Sequence, residues 1–597
     1  MPNPVPKQAS YAKARIHEGW VRLQTKWFYI LQVAVAAGAA YWAAHVVFGH
    51  DIPFFAPMAT IIVLSTTGGE RFRRSVELVV GVSLGVGLGD LIIANIGSGT
   101  WQIAVAVGIA IALGTFIDRS VLLVPEYRGH MEYACLGCGS RYGIDELHYT
   151  CPSCGGVFLL EDTRFEELEQ TDGQTWRDRF DLRAATKNQA LRGIFRFYEL
   201  MAPVMDEADI VFLGEGNTPV IRSSPALEAA AGQPLAFKND GQNPSASFKD
   251  RGMACAFSYL RHLVRRHGWR DVLTICASTG DTSAAAALYA AYVGEPLKSV
   301  VLLPQGKVTA QQLSQPLGSG ARVLEIPGVF DDCMKVVEYL ADHYRVALLN
   351  SKNAWRILGQ ESYAFEVAQW YDWDMGGKAV FVPIGNAGNI TAVMGGFLKL
   401  LRLGVISRLP RLFGVQSAHA DPVYRYYAAP EKERRYEAVT VRPSVAQAAM
   451  IGNPVSFPRV AHLAGRYEAQ GGDFRVVRVS EQGIIEAMLL ANRHGHIACT
   501  QGGECLAGLL EARAQGLMEK DELAILDATA HALKFAGFQD MYFRNVFPAD
   551  YEIVPDPARA NTPGLVLDQE AKSALDAGEF TEQAAQRVVE MLGLSRK

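Results

Sequence analysis

The 597-residue sequence lacks the basic excess that marks nucleic-acid-binding proteins. Its formal net charge is −5 and its isoelectric point is about 6.3, whereas a protein that holds nucleic acid concentrates lysine and arginine on one face or segment. It also lacks an even spread of cysteines, since four of the nine fall within residues 135–154. This pattern favours a reducing compartment with one metal site over a disulfide framework.

Ionisable residues are scarce in the first fifth of the chain. Between Trp27 and Phe48 only His45 can ionise, and further apolar runs follow at about residues 53–66, 75–96 and 101–117. Because about 20 apolar residues cross a bilayer core, we expect a cytosolic arm at 1–26 and an α-helical membrane segment of about four spans at 27–118. No short single run precedes a small-residue cleavage site, which argues against a signal peptide.

Basic residues predict the orientation of these spans. Lysines and arginines occupy the N-terminal arm and the loop GGERFRRS, and the other two short loops have neither. The positive-inside rule places both ends of the unit in the cytoplasm. We therefore expect a cell-membrane protein with its catalytic domain in the cytoplasm, or a cytoplasmic protein if the N-terminal segment is not native. Asp90, in the third run, is either functional or solvated near the outer interface.

The segments PFFAPMATIIVL and GERFRRSVELVVGVSLGVGLGD resemble the fusaric-acid-resistance or aromatic-acid-exporter membrane family. The resemblance covers about 100 residues. That family's membrane unit has more spans than the four seen here, so a membrane anchor or a chance fusion stands beside a working exporter as a hypothesis.

Two cysteine pairs follow in CLGCGSRYGIDELHYTCPSCGG, within a linker and ribbon-like segment at 119–157. Cys135 and Cys138 form one Cys-x2-Cys pair, and Cys151 and Cys154 form the other. Four thiolates at this spacing complete a tetrahedral zinc site with no open position, which predicts a structural zinc ribbon. Redox dithiols or a ribbon that has lost its metal are the alternatives.

From residue 158 to 556 short β-rich runs alternate with helical patterns. Examples are DVLTICAS, SVVLLP, ARVLEIP, KAVFVPIG and ELAILDAT. This alternation predicts an α/β domain with mostly parallel sheets, whose ligands bind in loops at the carboxyl ends of the strands. A C-terminal helical tail is expected at 557–597.

Four loops of this domain carry unusual chemistry. In NPSASFKDRG, Lys249 begins a predicted helix, whose positive N-terminus helps keep the amine neutral and nucleophilic; the alternative is a surface lysine. The glycine-rich turn PIGNAGNIT offers amides to a small phosphate and lacks the Lys-Ser/Thr of a nucleotide P-loop. ASTGDTSAA suits a carboxylate, or else an N-cap.

The fourth loop is DATAHALKF, in which Thr529 offers a neutral hydroxyl to a ring nitrogen. For His531 and Lys534 we favour loop packing and a salt bridge.

Together these loops resemble the threonine synthase family of fold-type II pyridoxal-phosphate enzymes. Seven segments occur in that family's order over about residues 131–556: LGEGNTP, NPSASFKDRG, STGDTSAA, NSKNAWRILGQESYAFE, PIGNAGNI, IGNPVSFPR and TAHALKF. The resemblance implies two parallel-sheet α/β subdomains and a pyridoxal 5'-phosphate cofactor.

The resemblance also implies roles residue by residue. Lys249 would be the Schiff-base lysine and the proton-transferring base. Cofactor binding is implied for Lys249, Asp281, Gly385, Asn386, Ala387, Gly388, Asn389 and Thr529. Substrate binding is implied for Ser278, Thr279, Gly280, Thr282, Ser351, Asn353 and Arg356. Within these sets, Asp281 would lie near the cofactor's 3′-oxygen and Arg356 at the substrate's phosphate.

The implied reaction converts O-phospho-L-homoserine and water to L-threonine and phosphate. Two alternatives remain open: another fold-type II reaction, such as that of a cysteate synthase or threonine dehydratase, and a membrane transporter with a regulatory domain of this fold. We expect a homodimer that binds a small-molecule substrate, contacts the membrane and binds no nucleic acid.

Overall fold

The computed structural model describes residue 46 and residues 127–277, 280–305, 310–327 and 330–595. The chain divides into two units, Met1–Leu122 and Leu123–Lys597, and all described residues but one belong to the second. Apart from residue 46, the predicted spans lie outside the described residues, as does Asp90. Within the described ranges, no helix combines the length and the apolar character needed to cross a membrane.

The cysteine segment forms a small antiparallel sheet. Its strands are β1 (Met131–Cys135), β2 (Arg141–Gly143) and β3 (Phe158–Asp162), in the order β2-β1-β3. Because β3 pairs with β1 along its whole length, this sheet extends five residues past the boundary expected at 157/158.

Two larger sheets follow. The small sheet has the order β8-β7-β6-β9 and is parallel; the large sheet has the order β12-β11-β10-β13-β5-β4 and is parallel except at β4. The strands are β4 (Val220–Arg222), β5 (Leu235–Asn239), β6 (Val272–Ala277), β7 (Leu297–Pro304), β8 (Arg322–Ile326), β9 (Val346–Leu348), β10 (Lys378–Pro383), β11 (Arg411–Ser417), β12 (Phe474–Val479) and β13 (Leu523–Ala528).

Helices cover both faces of these sheets. In chain order they are α1 (Gly173–Ala184), α2 (Tyr198–Met201), α3 (Pro225–Ala231), α4 (Lys249–His267), α5 (Asp281–Val293), α6 (Ala310–Gly318), α7 (Phe330–His343), α8 (Ala354–Gln360), α9 (Ser362–Trp370), α10 (Gly388–Arg402), α11 (Pro422–Ala428), α12 (Phe457–Ala469), α13 (Glu481–Arg493), α14 (Thr500–Ala514), α15 (Ala536–Phe543), α16 (Gln569–Ala574) and α17 (Ala577–Leu592).

The expected α/β architecture is confirmed, and its cause is visible in the central strands. In β10, the five residues from Ala379 to Pro383 are all buried, because a parallel sheet covered by helices on both faces has no solvent side. The Phe381 and Phe413 rings stack across β10 and β11 with centroids 4.6 Å apart. The short antiparallel β4 ends the sheet at one edge, where a long exposed strand would invite aggregation.

A buried ionic network fixes the start of α4 against the large sheet. Arg251 Nη2 lies 2.7 Å from Asp240 Oδ1 and 2.7 Å from Glu366 Oε2, and Lys238 Nζ lies 2.7 Å from the same Glu366 oxygen. All four side chains are buried. Since Arg251 follows Lys249 by two residues, this network holds the beginning of α4 in place relative to β5 and α9.

Two glycines allow α4 and α8 to approach closely. A Cβ on Gly359 would lie 2.3 Å from the Arg251 carbonyl oxygen, and a Cβ on Gly252 would lie 2.9 Å from the Arg356 carbonyl oxygen. Any larger side chain at either position would separate the helices. The contact therefore brings the predicted phosphate-binding arginine beside the helix that begins at Lys249.

Candidate active site

A cavity opens at the carboxyl ends of β10 and β13, beside the first turns of α4 and α5. All eight residues predicted for cofactor binding line it: Lys249, Asp281, Gly385, Asn386, Ala387, Gly388, Asn389 and Thr529. Such a position, outside the carboxyl ends of parallel strands, is where α/β folds bind their ligands. The geometry thus brings together groups that are up to 280 residues apart in the chain; their binding roles stay predictions.

Lys249 is the first residue of α4, as predicted, and its ammonium form is disfavoured. Burial, followed by the positive charge of Arg356, lowers the pKa of Lys249 to about 7, while the negative charge of Asp281 acts in the opposite direction. Lysines ordinarily titrate near 10.4. The amine also lies 4.0 Å from the centroid of the Phe248 ring. Lys249 is half-buried in the cavity wall and is not a freely solvated surface lysine.

The predicted phosphate loop, residues 385–389, has the shape of a cradle. Ala387 adopts a left-handed conformation (φ 61°) and turns the chain into α10, which begins at Gly388. A Cβ on Gly385 would lie 2.9 Å from Ala449 Cα, so only glycine fits there. Amides at the start of a helix attract anions, and this loop suits a small phosphate.

Asn389 connects this loop to the neighbouring strand. Its Nδ2 donates to Asp527 Oδ2 at 2.7 Å, and both side chains are buried. Burial raises the pKa of Asp527 well above its ordinary value, and the negative charge of Asp240 raises it further. Burial therefore favours the protonated form of the Asp527 carboxyl, and its Oδ1 has no hydrogen-bond partner among the described residues.

Thr529 is held beside the Lys249 loop by main-chain hydrogen bonds. The amide of Phe248 donates to the Thr529 carbonyl at 2.8 Å, and the amide of His531 donates to the Ala246 carbonyl at 3.0 Å. The Thr529 hydroxyl lies 3.7 Å from the Cys499 thiol. Thr529 is buried and therefore presents a neutral hydroxyl at the cavity wall.

Asp281 and Lys534 form an ion pair at the cavity. Asp281 is the first residue of α5, and its Oδ1 lies 2.9 Å from Lys534 Nζ, which also donates to the Ser245 carbonyl at 2.8 Å. This confirms the salt bridge expected for Lys534. His531 caps the following turn by accepting from the Leu533 amide, which confirms its structural role.

The predicted carboxylate-binding stretch is only partly described. Gly280 precedes α5 and Thr282 lies in its first turn, so both are neighbours of Asp281 in the chain, although neither is among the residues that line the cavity. Ser278 and Thr279 lie outside the described residues. The role of this stretch stays a prediction.

Arg356 is a buried cation without a carboxylate partner among the described residues. It is 2% exposed, the single hydrogen bond of its guanidinium within the described ranges runs from Nη1 to the Leu349 carbonyl, and its Nε has no partner there. Burial lowers the pKa of Arg356 to about 10. A buried guanidinium lacking a counterion is costly, so the site is suited to an anionic ligand.

Asn353 and Ser351 lie on the same segment as Arg356. The Asn353 side-chain oxygen accepts from the amides of Trp355 and Arg356, and its Nδ2 donates to the Leu348 carbonyl. Asn353 thus acts as the N-cap of α8. The Ser351 carbonyl accepts from Arg459 Nη1 at 3.0 Å. Asn353 therefore fixes the start of the helix that carries Arg356, and the substrate-binding roles of Ser351 and Asn353 stay predictions.

Some cavity residues were not predicted from the sequence. Phe248, Gln360, Pro383, Ala448, Ala449 and Gln501 also line it. Phe248, Gln360 and Pro383 lie within the motifs quoted above, so proximity to those motifs was an available signal. Gln501 had no local signal; its side-chain oxygen and nitrogen are buried without partners among the described residues.

The four clustered cysteines form a site of their own. The sulfur atoms of Cys135, Cys138, Cys151 and Cys154 all lie within 4.8 Å of one another. The two pairs make the same turn: Gly139 donates to the Cys135 carbonyl and Gly155 to the Cys151 carbonyl, each glycine with φ above 70°. Four thiols converging from two matching turns fit a tetrahedral zinc ion.

Two family models match the chain. The pyridoxal-phosphate dependent enzyme family matches residues 211–526, and the fusaric acid resistance protein-like family matches residues 35–124. The first match contains every predicted cofactor- and substrate-binding residue except Thr529, which lies three residues beyond its end.

Individual relatives extend this similarity. The threonine synthase of Methanocaldococcus jannaschii is 35% identical over 405 residues, which cover 67% of this chain and 92% of that protein. Chloroplastic threonine synthase 2 of Arabidopsis thaliana is 32% identical over 432 residues, covering 72% and 81%. In fold, the crystal structure of threonine synthase from yeast matches with a TM-score of 0.51 and 17% identity, covering 79% of this chain and 100% of that one.

Proposed function

The chain belongs to the pyridoxal-phosphate dependent enzyme family, and from that premise we propose that it is a threonine synthase, converting O-phospho-L-homoserine and water to L-threonine and phosphate. One observation carries the choice of substrate: Arg356 is a buried guanidinium without a carboxylate partner among the described residues, and its helix packs closely against the helix that begins at Lys249. A phosphorylated amino acid would bring an anion to Arg356 while its reacting carbons face Lys249. The similarity to threonine synthases points to the same reaction.

The residues of the cavity fit the cofactor. Lys249 would hold its aldehyde carbon, the amides of residues 385–389 its phosphate, and the Thr529 hydroxyl its ring nitrogen. The cradle at Gly385, where a Cβ would meet Ala449, leaves room for a phosphate to approach the backbone. When bound, pyridoxal phosphate supplies an electron sink for carbanion chemistry.

Lys249 is suited to move the protons of this reaction. Loss of the phosphate from the γ carbon requires removal of a proton at the α carbon and then of one at the β carbon. Lys249 is the base that we assign to both positions. An amine with a pKa near 7 takes up and releases protons readily at neutral pH. Its place at the beginning of α4, fixed by the Arg251 network, keeps it at the cavity wall.

Arg356 would bind the substrate's phosphate, with Ser351 and Asn353 on the same segment. A guanidinium offers parallel N–H donors to two phosphate oxygens, and Arg356 has most of its donors unused among the described residues. Binding would therefore compensate a charge that the fold otherwise leaves buried alone. The stretch from Ser278 to Thr282 would hold the substrate's carboxylate.

Asp281 requires a different reading from the one implied by resemblance alone. Its carboxylate is paired with the Lys534 ammonium. That positive charge would offset the negative charges of both Asp281 and the cofactor's 3′-oxygen. A carboxylate facing a phenolate oxygen would otherwise need a proton held between the two oxygens, and the Lys534 ammonium would remove that need.

The remaining parts of the chain have supporting roles in this proposal. Cys135, Cys138, Cys151 and Cys154 would hold a structural zinc ion. The segment matched by the fusaric acid resistance protein-like family would anchor the enzyme to the cell membrane, with the catalytic domain in the cytoplasm. We further propose a homodimer, the expected arrangement of the family.

Phosphate release from O-phospho-L-homoserine tests the function. We expect the purified chain, loaded with pyridoxal phosphate, to release phosphate and form threonine in equal amounts, and Lys249→Ala to lose both turnover and the absorbance of the bound cofactor. Arg356→Gln should keep that absorbance and lose most turnover. A retained yellow colour and full activity in Lys249→Ala would exclude the assignment; turnover of a non-phosphorylated substrate alone would indicate another reaction of the fold.

A second experiment tests the anchor. A fragment beginning at about residue 125, close to the boundary of the second unit at Leu123, should turn over the substrate as fast as the full chain. Activity confined to the full-length, membrane-bound protein would contradict a purely anchoring role.

A further inference from the structure

Arg459 is a fully buried arginine whose hydrogen bonds all go to neutral oxygens. It is 0% exposed. Its Nε donates to the Phe158 carbonyl at 2.7 Å, Nη1 donates to the Ser351 carbonyl at 3.0 Å and to Ser456 Oγ at 2.9 Å, and Nη2 donates to the Lys352 carbonyl at 3.0 Å. Four acceptors arranged around one planar group fix their relative positions.

The first acceptor belongs to the cysteine ribbon. Phe158 is the first residue of β3, and its direct partner on β1 is Cys135, one of the four clustered cysteines. Cys135 and Phe158, the residue that accepts the hydrogen bond from Arg459, are thus paired directly across two adjacent strands. A change in the ribbon at Cys135 therefore reaches Arg459 through a single strand pair.

The other acceptors belong to the active site. Ser351 and Lys352 begin the segment that carries Arg356, five and four residues before it. Ser456 donates through its amide to the Asn386 carbonyl at 3.1 Å, so it connects to the phosphate loop of the cofactor cavity. Arg459 consequently joins the ribbon, the Arg356 segment and the cofactor loop at one point.

A second contact ties the same two parts together. Trp355 Nε1 donates to the Tyr133 hydroxyl on β1 at 3.0 Å, and the Trp355 ring stacks on Tyr259 with centroids 3.9 Å apart. Trp355 directly precedes Arg356. The ribbon therefore connects to the Arg356 segment twice, through Arg459 near residues 351–352 and directly at residue 355.

We propose that Arg459 is a positioning residue that couples the cysteine ribbon to the binding of the substrate's phosphate. The inference rests on the proposed function, because it takes Arg356 as the group that binds that phosphate. Through Arg459 an intact ribbon holds the segment of Ser351 and Arg356 in its binding geometry. The state of the ribbon controls affinity for the phosphorylated substrate, and the chemistry at Lys249 is left unchanged.

Arg459→Lys tests the position of the phosphate site. Lysine keeps the charge but cannot reach four acceptors around a plane. Because the Ser351 and Lys352 carbonyls would lose their shared donor, we expect the KM for O-phospho-L-homoserine and the Kd for inorganic phosphate to rise roughly tenfold or more. The kcat and the affinity for pyridoxal phosphate should change less than about twofold.

Arg183→Lys is the matched control. Arg183 is equally buried and pairs with Glu199 through both terminal nitrogens, away from the cavity. Both variants are expected to lower the unfolding midpoint, but only Arg459→Lys should weaken phosphate binding. If Arg459→Lys lowers stability and leaves the KM and the phosphate Kd at wild-type values, Arg459 is merely structural and the proposal is wrong.

Cys138→Ser tests the coupling. Cys138 is exposed, so its loss perturbs the ribbon with little effect on the core. We expect it to raise the phosphate Kd in the wild-type background and to add little in Arg459→Lys. Equal effects in both backgrounds, or none in the wild type, would refute the coupling.

Phosphate binding separates this inference from the proposed function. The Kd is measured on the pyridoxal-phosphate-loaded protein by calorimetry with inorganic phosphate and needs no turnover. If O-phospho-L-homoserine is not a substrate but the variants alter the phosphate Kd as described, the reaction assignment fails and the coupling stands. A wild-type protein with no measurable phosphate affinity would overturn the coupling.

Discussion

The neutral amine of Lys249 depends on the charge of Arg356, and replacing Arg356 makes this measurable. Burial and Arg356 together lower the pKa of Lys249 to about 7. A neighbouring charge of the same sign accounts for about one pKa unit or more of such a shift. In Arg356→Gln we therefore expect the pKa of Lys249 to rise to about 8, which reduces the neutral fraction at pH 7 from about one half to about one tenth.

The rate of cofactor capture reports this fraction. The apoenzyme is mixed with pyridoxal phosphate over a pH series, and the growth of the bound cofactor's absorbance is followed. The wild-type rate should rise with pH to a midpoint near 7, and that of Arg356→Gln to a midpoint near 8, about a fivefold slower capture at pH 7. Arg356→Lys, which keeps the positive charge, is the control and should keep the lower midpoint.

Stability gives an independent check with a defined sign. A lysine whose pKa is lower in the folded than in the unfolded protein binds fewer protons when folded, so the apoenzyme gains stability as pH rises from about 7 towards 10. The gain from Lys249 alone is of the order of 5 kcal/mol, and Arg356→Gln should reduce it by about 1.4 kcal/mol. A common midpoint in wild type and Arg356→Gln, or a wild-type midpoint near 10, would refute the reasoning.

Two further predictions concern the buried polar groups around the cavity. Glu366→Gln leaves Arg251 and Lys238 without their shared carboxylate, so we expect a loss of about 3–5 kcal/mol in the free energy of unfolding, read from denaturant curves; an unchanged midpoint would contradict the network's role. Because burial favours the protonated form of Asp527, Asp527→Asn should preserve the acceptor for Asn389 and cost little, whereas Asp527→Ala should cost about 1–3 kcal/mol and weaken pyridoxal phosphate binding. Equal loss in both Asp527 variants would show that the charge of Asp527 matters.

The strands were predictable because their pattern is local. KAVFVPIG and ELAILDAT are continuous apolar runs bounded by turn residues, and they form β10 and β13 as expected. The loops that follow such strands must converge at one edge of a parallel sheet. For that reason Lys249, residues 385–389 and Thr529 could be grouped before any coordinates were known.

The supporting contacts were not predictable, since they depend on which distant segments meet. Nothing in IGNPVSFPR indicates that Arg459 donates to Phe158, 301 residues earlier. The sequence predicts a salt bridge for Lys534, but it does not identify Asp281 as the partner. From the sequence, the helix N-terminus is the expected cause of a low pKa for Lys249. In the structure, burial and the positive charge of Arg356 are the largest causes.

The order of strands in the large sheet determines when each strand can pair while the chain is being synthesised. Strand β5 lies between β4, made just before it, and β13, made near the end of the chain; the hydrogen bond from Gln233 to Glu522 beside this pair spans 289 residues. The ribosome adds roughly 5–20 residues per second, so about 15–60 s pass between the synthesis of β5 and that of β13. During this time one edge of β5 is unpaired. During that interval the small sheet, whose four strands are contiguous in sequence, can form alone. A nascent chain stalled before residue 523 should therefore protect β6–β9 from proteases while β5 remains accessible.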